Sequence, residues 1–162
     1  MNYYCRLSIL AAREALAGAF AFLQQTDALI IDNRSNFGGS PATVAHYVSY
    51  LSEGPPALVS TLHERADRRI LEFYTEDLGE RSYGASRPIF VLTSAATFSG
   101  GEALTYDLQA LGRALVIGEV TGGGAHPVTP PSSGRPPDRR HPLRPDHQSH
   151  HRHQLGGHRR PA

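Results

Sequence analysis

Ile89–Leu111, IFVLTSAATFSGGEALTYDLQAL, is the stretch whose reading decides the fold. It opens on Ile89–Thr93, a continuous apolar run of the kind that forms a strand buried on both faces. It closes on Glu102–Leu111, EALTYDLQAL, which reads as a helix. Thr97–Glu102, TFSGGE, lies between them and puts Ser99 at a strand-to-helix junction. A serine on such a turn exposes its hydroxyl. The unpaired N–H groups of the first helical turn point the same way, and with the helix dipole they favour the negative charge of an acyl-transfer oxyanion. The competing reading makes Ser99 an N-cap, with Glu102 three residues on completing a capping box.

The flanking sequence supplies further strands and helices. Leu7–Leu23 has helical spacing, with Leu16, Phe20 and Leu23 on one side. Ala28–Ile31 is a short buried strand that runs into the polar loop Asp32–Gly39, DNRSNFGG. Ser40 and Pro41 are an N-cap and first helical position for a helix over about Ala42–Leu51, stopped by Gly54-Pro55-Pro56. Ala57–Leu62 and Ile70–Thr75 pair as a hairpin around the charged turn Glu64–Arg69, and Glu76–Arg87 is a loop. Ala114–Ile117 is another short strand, followed by the glycine-rich loop Gly118–Ala125. Strands alternating with helices predict an α/β fold with a mostly parallel sheet. Loops at the carboxyl ends of parallel strands build active sites, so Gly38-Gly39, Ser99 and Gly122–Gly124 are placed to converge.

Composition narrows the chemistry. All 16 basic residues are arginine, so no lysine serves as general base or Schiff-base former. The net charge of +1 hides a division: Gly134–Ala162 carries seven arginines and two aspartates, leaving the rest at −4. That balance gives no reason to expect a nucleic-acid partner. No apolar run is long enough to span a bilayer. Arg6, Arg13 and Glu14 interrupt what would be the core of a signal peptide, and the compartment is not readable. Cys5 is the only cysteine, which excludes an intrachain disulfide.

Three segments, in order and at family-like spacing, resemble the tail-specific, or C-terminal processing, serine peptidases. They are LIIDNRSNFGG (Leu29–Gly39), VLTSAATFSGGEALTYDLQALGRALVIGE (Val91–Glu119) and TGGGAHP (Thr121–Pro127). The branch resembled most includes interphotoreceptor retinoid-binding protein and is related to the tricorn protease core. The resemblance implies a layered α/β core like crotonase and Clp protease, with a mostly parallel sheet, here expected to be incomplete at both ends. It also implies cleavage of peptide bonds through an acyl-enzyme on Ser99. The paired glycines of the family's Asp-x-Arg-x-Asn-x-Gly-Gly loop match Gly38 and Gly39. A glycine N–H from there and the Gly100 N–H would form the oxyanion hole. Asp32, Arg34 and Asn36 also match, and are expected to hold the loop by local hydrogen bonds. Two departures stand out. Gly100-Gly101 follows the serine, where glycine should loosen the helix start by about 1 kcal/mol per residue. Asn33 puts a polar group where a strand end is often buried.

A serine hydroxyl needs a base within reach. Many bacterial relatives use a lysine at the position matching about Gly124; the tricorn-like branch uses a histidine that precedes the core. This chain has neither, its first histidine being His46. His126 is the candidate base, because it alone among the histidines adjoins a site loop; the alternative makes it a loop residue beside Pro127. His46 and His63 are expected on the surface of a helix and a hairpin. Neither a cofactor nor a metal site is implied. The expected domain is 1–129, followed by a Pro/Arg/His-rich disordered tail, 130–162, which holds six of the nine histidines without elements to fix ligand geometry. Read one nucleotide later with plausible GC-rich codons, the tail from Asp138 onward gives TAGIPFGRTINPITGTNWEGTGV, similar to the family's own C-terminal segment. The tail is therefore expected to arise from a frame shift between about Pro127 and Asp138. The leading expectation is a serine-peptidase core acting on peptide or protein substrates, inactive or weak by itself. The alternative is a non-catalytic module binding apolar ligands such as retinoid or fatty acid. A partner subunit, or self-association through open sheet edges, could complete the chain.

Overall fold

The apolar run Ile89–Thr93 is the central strand, β4, of a three-stranded parallel sheet. A computed structural model describes residues 3–64 and 68–125, with side chains from Leu10 onward. Numbered in chain order, the elements are α1 (Tyr3–Leu23), β1 (Leu29–Asp32), α2 (Pro41–Tyr50), β2 (Leu58–Glu64), β3 (Arg69–Tyr74), β4, α3 (Gly100–Ala110) and β5 (Leu115–Gly118). The sheet order is β1-β4-β5 and both pairings are parallel, with Ile31 opposite Val91 and Val91 opposite Val116. Strands β2 and β3 form a separate antiparallel hairpin. Crossovers containing α2 and α3 join β1 to β4 and β4 to β5, which leaves all three carboxyl ends on one edge of the layer.

One face of the sheet is buried. Leu29 and Ile31 of β1 and Ile89 and Val91 of β4 join one apolar cluster with Val44 and Val48 of α2 and Leu104 and Leu108 of α3. The period of two puts Ile30, Leu115 and Ile117 on the other face, where all three are exposed. Helix α1 joins the same core through Phe20, whose ring stacks on Tyr50 at 4.5 Å and meets Tyr47 edge-on at 5.6 Å. Truncating a buried ring of this kind costs about 3–5 kcal/mol.

Helix α2 starts as its sequence predicts. Ser40 has an extended backbone (φ −73°, ψ 146°), its Oγ accepts from the Thr43 N–H at 3.1 Å, and Pro41 follows. His46 departs from expectation: it is buried, not on the surface. Its ring packs edge-on against Tyr50, and Nδ1 lies 3.4 Å from Glu76 Oε1 in a geometry short of a hydrogen bond. Glu76 also pairs with Arg13 of α1. The segment after β3 thus covers a position that helical spacing alone directs outward. Burial first, then the Arg13 charge, push the His46 pKa down, and Glu76 opposes them. His63 is exposed.

Asp107 of α3 is buried with its Oδ2 unpartnered. Burial raises its pKa from 3.8 to about 7. A carboxyl raised on folding favours the folded state when protonated, so its penalty grows as pH climbs from about 4 to about 7. Asp107→Asn keeps the shape and removes the charge. It is expected to raise stability by a few kcal/mol at pH 8 and by much less at pH 4.5. Urea unfolding of both proteins at the two pH values checks this.

Candidate active site

Three loops leave the carboxyl ends of β1, β4 and β5, and they meet. The first, Asn33–Gly39, is held by its own side chains. Arg34 pairs with Asp32 at 2.8 Å and holds that carboxyl down to about 2. Asn36 Oδ1 accepts from the Gly38 N–H at 2.9 Å, and Asn36 Nδ2 donates to Asn33 Oδ1 at 2.7 Å. Asn33 is buried and satisfied, since its Nδ2 also donates to Gly101 O at 2.7 Å and Thr105 Oγ1 at 2.8 Å. The polar residue at the strand end is therefore a tie from β1 to α3.

The second loop crosses against the first. Thr97 Oγ1 donates to Asn33 O at 2.8 Å, the Phe98 N–H to Asn36 O at 2.9 Å, and Ser94 Oγ to Arg34 O at 2.6 Å. These bonds bring Gly38 onto Ser99. A Cβ on Gly38 would stand 2.8 Å from Ser99 Cβ and 3.1 Å from Ser99 Oγ, and its φ of +122° suits glycine alone. A Cβ on Gly100 would stand 2.5 Å from Gly39 N, and one on Gly101 2.7 Å from Asn36 O. The glycine pair after the serine is thus required by the approach of the first loop's backbone. The absence of Cβ that weakens a helix start also lets the loop seat here.

Ser99 is half-buried and has φ +51° and ψ −119°. A non-glycine residue at positive φ is uncommon, and such a conformation costs roughly 1–3 kcal/mol. An ordinary N-cap is extended, as Ser40 is. Ser99 and Glu102 do have the form of a capping box. Its well-formed half belongs to Glu102, whose Oε2 accepts from the Ser99 N–H at 2.8 Å.

Glu102 also binds the third loop. Its Oε1 accepts from the Thr121 hydroxyl at 2.7 Å and the Gly123 N–H at 2.6 Å, and its Oε2 from the Gly124 N–H at 2.7 Å. Burial alone would raise the Glu102 pKa; the bonds from Thr121, Gly123, Gly124 and Ser99 outweigh it, and the net shift is downward. The sequence marks Glu102 only as a capping residue. Nothing local in the sequence signals this larger role, because the Gly123 and Gly124 amides reach Glu102 only in the fold.

The amides near Ser99 divide into used and free. Gly38 N–H is bonded to Asn36, whereas Gly39 and Gly100 N–H have no acceptor among the described residues. An open groove of about 210 Å³ adjoins them, walled by Ile31, Val44, Tyr47 and Leu104. A larger hollow of about 350 Å³, lined by Glu53, Glu76, Asp77 and Glu80, takes no residue from the three loops. Among the described residues, no acidic or basic side chain hydrogen-bonds the Ser99 hydroxyl, and no group of three His, Cys, Asp or Glu is placed to hold a metal ion. His126, the candidate base, and the tail 130–162 lie outside the described residues.

Glu102→Gln would set an NH₂ against a shell of donors. A stability loss of roughly 2–4 kcal/mol is expected at pH 7. Because the native Glu102 pKa lies below its ordinary value of 4.5, the carboxylate's contribution is complete above that value and fades as pH falls. The gap between the two proteins should therefore narrow by pH 3.5 in urea titrations.

The fold is similar to the photosystem II D1 C-terminal processing protease, with a TM-score of 0.52 and 23% identity over 76% of this chain and 29% of that one. It is also similar to a Parabacteroides merdae protein assigned as a peptidase, with a TM-score of 0.53 and 24% identity over 70% of this chain and 37% of that one. The chain thus spans about a third of the length of these solved relatives. The sequence profile of peptidase family S41 matches residues 4–132. With a mostly parallel α/β sheet, three converging loops and a match over most of its length, the chain belongs to peptidase family S41.

Proposed function

We propose that Ser99 is the nucleophile of a serine-type peptidase site, with the Gly39 and Gly100 N–H groups as its oxyanion hole. The observation that carries this reading is the strained Ser99 backbone with Gly38 pressed against its side chain. A serine serving only to start a helix gains nothing from a left-handed φ, whereas a reactive serine gains a fixed, exposed hydroxyl. Ser99 Oγ adds to the carbonyl carbon of a peptide, and the carbonyl oxygen takes up the charge. Two free amides beside that atom stabilise it where it forms. The amine then leaves with a proton, and water cleaves the resulting ester.

The proton of Ser99 needs an acceptor, and no described side chain is bonded to it. The chain by itself is therefore expected to show little or no peptide hydrolysis, since losing a base removes on the order of 10²–10⁴ in rate. His126 remains the candidate for that role. The groove walled by Ile31, Val44, Tyr47 and Leu104 is wide enough for one apolar side chain beside the scissile bond.

A peptidyl boronic acid tests the nucleophile without requiring turnover, because its boron accepts the serine oxygen and becomes tetrahedral. Binding measured by calorimetry should weaken at least about tenfold in Ser99→Ala. Equal binding by wild type and Ser99→Ala would refute the assignment. Rapid peptide hydrolysis that disappears in Ser99→Ala would keep Ser99 and overturn the expected inactivity.

A further inference from the structure

Phe98 precedes Ser99, and its ring lies on the loop that follows β5. A Cβ on Gly122 would stand 2.7 Å from Phe98 Cδ2, and one on Gly124 would overlap Cζ and both Cε atoms of the ring. The ring thus rests on bare backbone, in the volume where a side chain at 124 would begin. The same loop is tied to Glu102 through the Gly123 and Gly124 amides and the Thr121 hydroxyl. The Gly122 N–H returns to Thr97 O at 2.9 Å, which joins the loop to the residue before Phe98. Residues on both sides of Ser99 therefore grip one loop, Phe98 by contact and Glu102 by hydrogen bonds.

We propose that Phe98 is a positioning residue for Ser99. Its ring holds Gly122–Gly124 within reach of Glu102 and fills the space that a side chain at position 124 would enter. The amides of the loop are then taken up by Thr97 and Glu102, and the loop brings no side chain to the site at 122 or 124. The acceptor for the Ser99 proton belongs to a group outside Gly122–Gly124. The inference deepens the reading of Ser99 as the reactive group and rests on it for its functional meaning.

A double-mutant cycle on the full chain tests the shared volume, with Phe98→Ala and Gly124→Ala as the two arms. In the wild-type background Gly124→Ala is expected to lower the folding constant about tenfold, as coupled neighbours do. In the Phe98→Ala background it should change that constant by less than about twofold. Equal effects in both backgrounds would overturn the proposal. The second readout is the Glu102 carboxyl titration, followed by carbon NMR. It should move upward in Phe98→Ala and return to its wild-type position in Phe98→Tyr, which keeps the ring. A titration unchanged by Phe98→Ala would equally overturn the proposal. Phe98→Leu, which lacks the ring but remains apolar, carries the same comparisons if the alanine variant does not fold. Neither readout requires Ser99 to react, so failure here is distinguishable from failure of the nucleophile assignment.

Discussion

Four hydrogen bonds converge on the buried carboxylate of Glu102, and the geometry around Ser99 depends on them. A carboxylate removed from water loses several kcal/mol of hydration unless donors replace it. Here the donors come from the turn before α3 and the loop after β5, two segments that the chain must otherwise bring together against conformational entropy. The charge also sits in the first turn of α3, where the helix dipole favours it. One side chain thereby fixes the Ser99 amide, starts the helix and anchors the third loop. Asp107, five residues further along the same helix, shows the opposite case: buried with its Oδ2 unpartnered, it is driven toward its neutral form.

Close packing of backbone does the rest. Gly38, Gly100 and Gly101 lie where a Cβ would strike the facing loop, so the first loop can press its amides toward the serine. The approach is maintained by side-chain ties from Asn33, Asn36 and Thr97, all bonded to main chain or to one another. A loop pair built this way holds a strained serine because its surroundings over-determine it. Among the described residues, the Gly39 and Gly100 N–H groups beside Ser99 have no acceptor.

Much of the layer structure was legible in the sequence, for local reasons. IFVLT is bounded by Pro88 and by a polar turn, and it is β4 to the residue. Ser40-Pro41 marks the start of α2 because both residues satisfy or remove orphan helix amides. The grouping of Gly38-Gly39, Ser99 and Gly122–Gly124 followed from parallel topology. What escaped the sequence depended on contacts between distant segments. His46 packs edge-on against Tyr50 one turn along α2, and the path of the chain through Glu76 lies over it. Gly100-Gly101 read as a weakness because the backbone of Asn36 and Gly39 lies above them only in the fold. Glu102 read as a cap because its bonds to Thr121, Gly123 and Gly124 span about twenty residues.

The conformation of Ser99 is the point on which this account stands or falls. The amide-to-α-proton coupling and the α- and β-carbon shifts of Ser99, measured by NMR on the free chain, report that conformation directly. A left-handed φ close to +51° is expected, with nuclear Overhauser contacts from the Ser99 β-protons to the Gly38 α-protons. A negative φ of the ordinary capping kind, with no contact to Gly38, would contradict it.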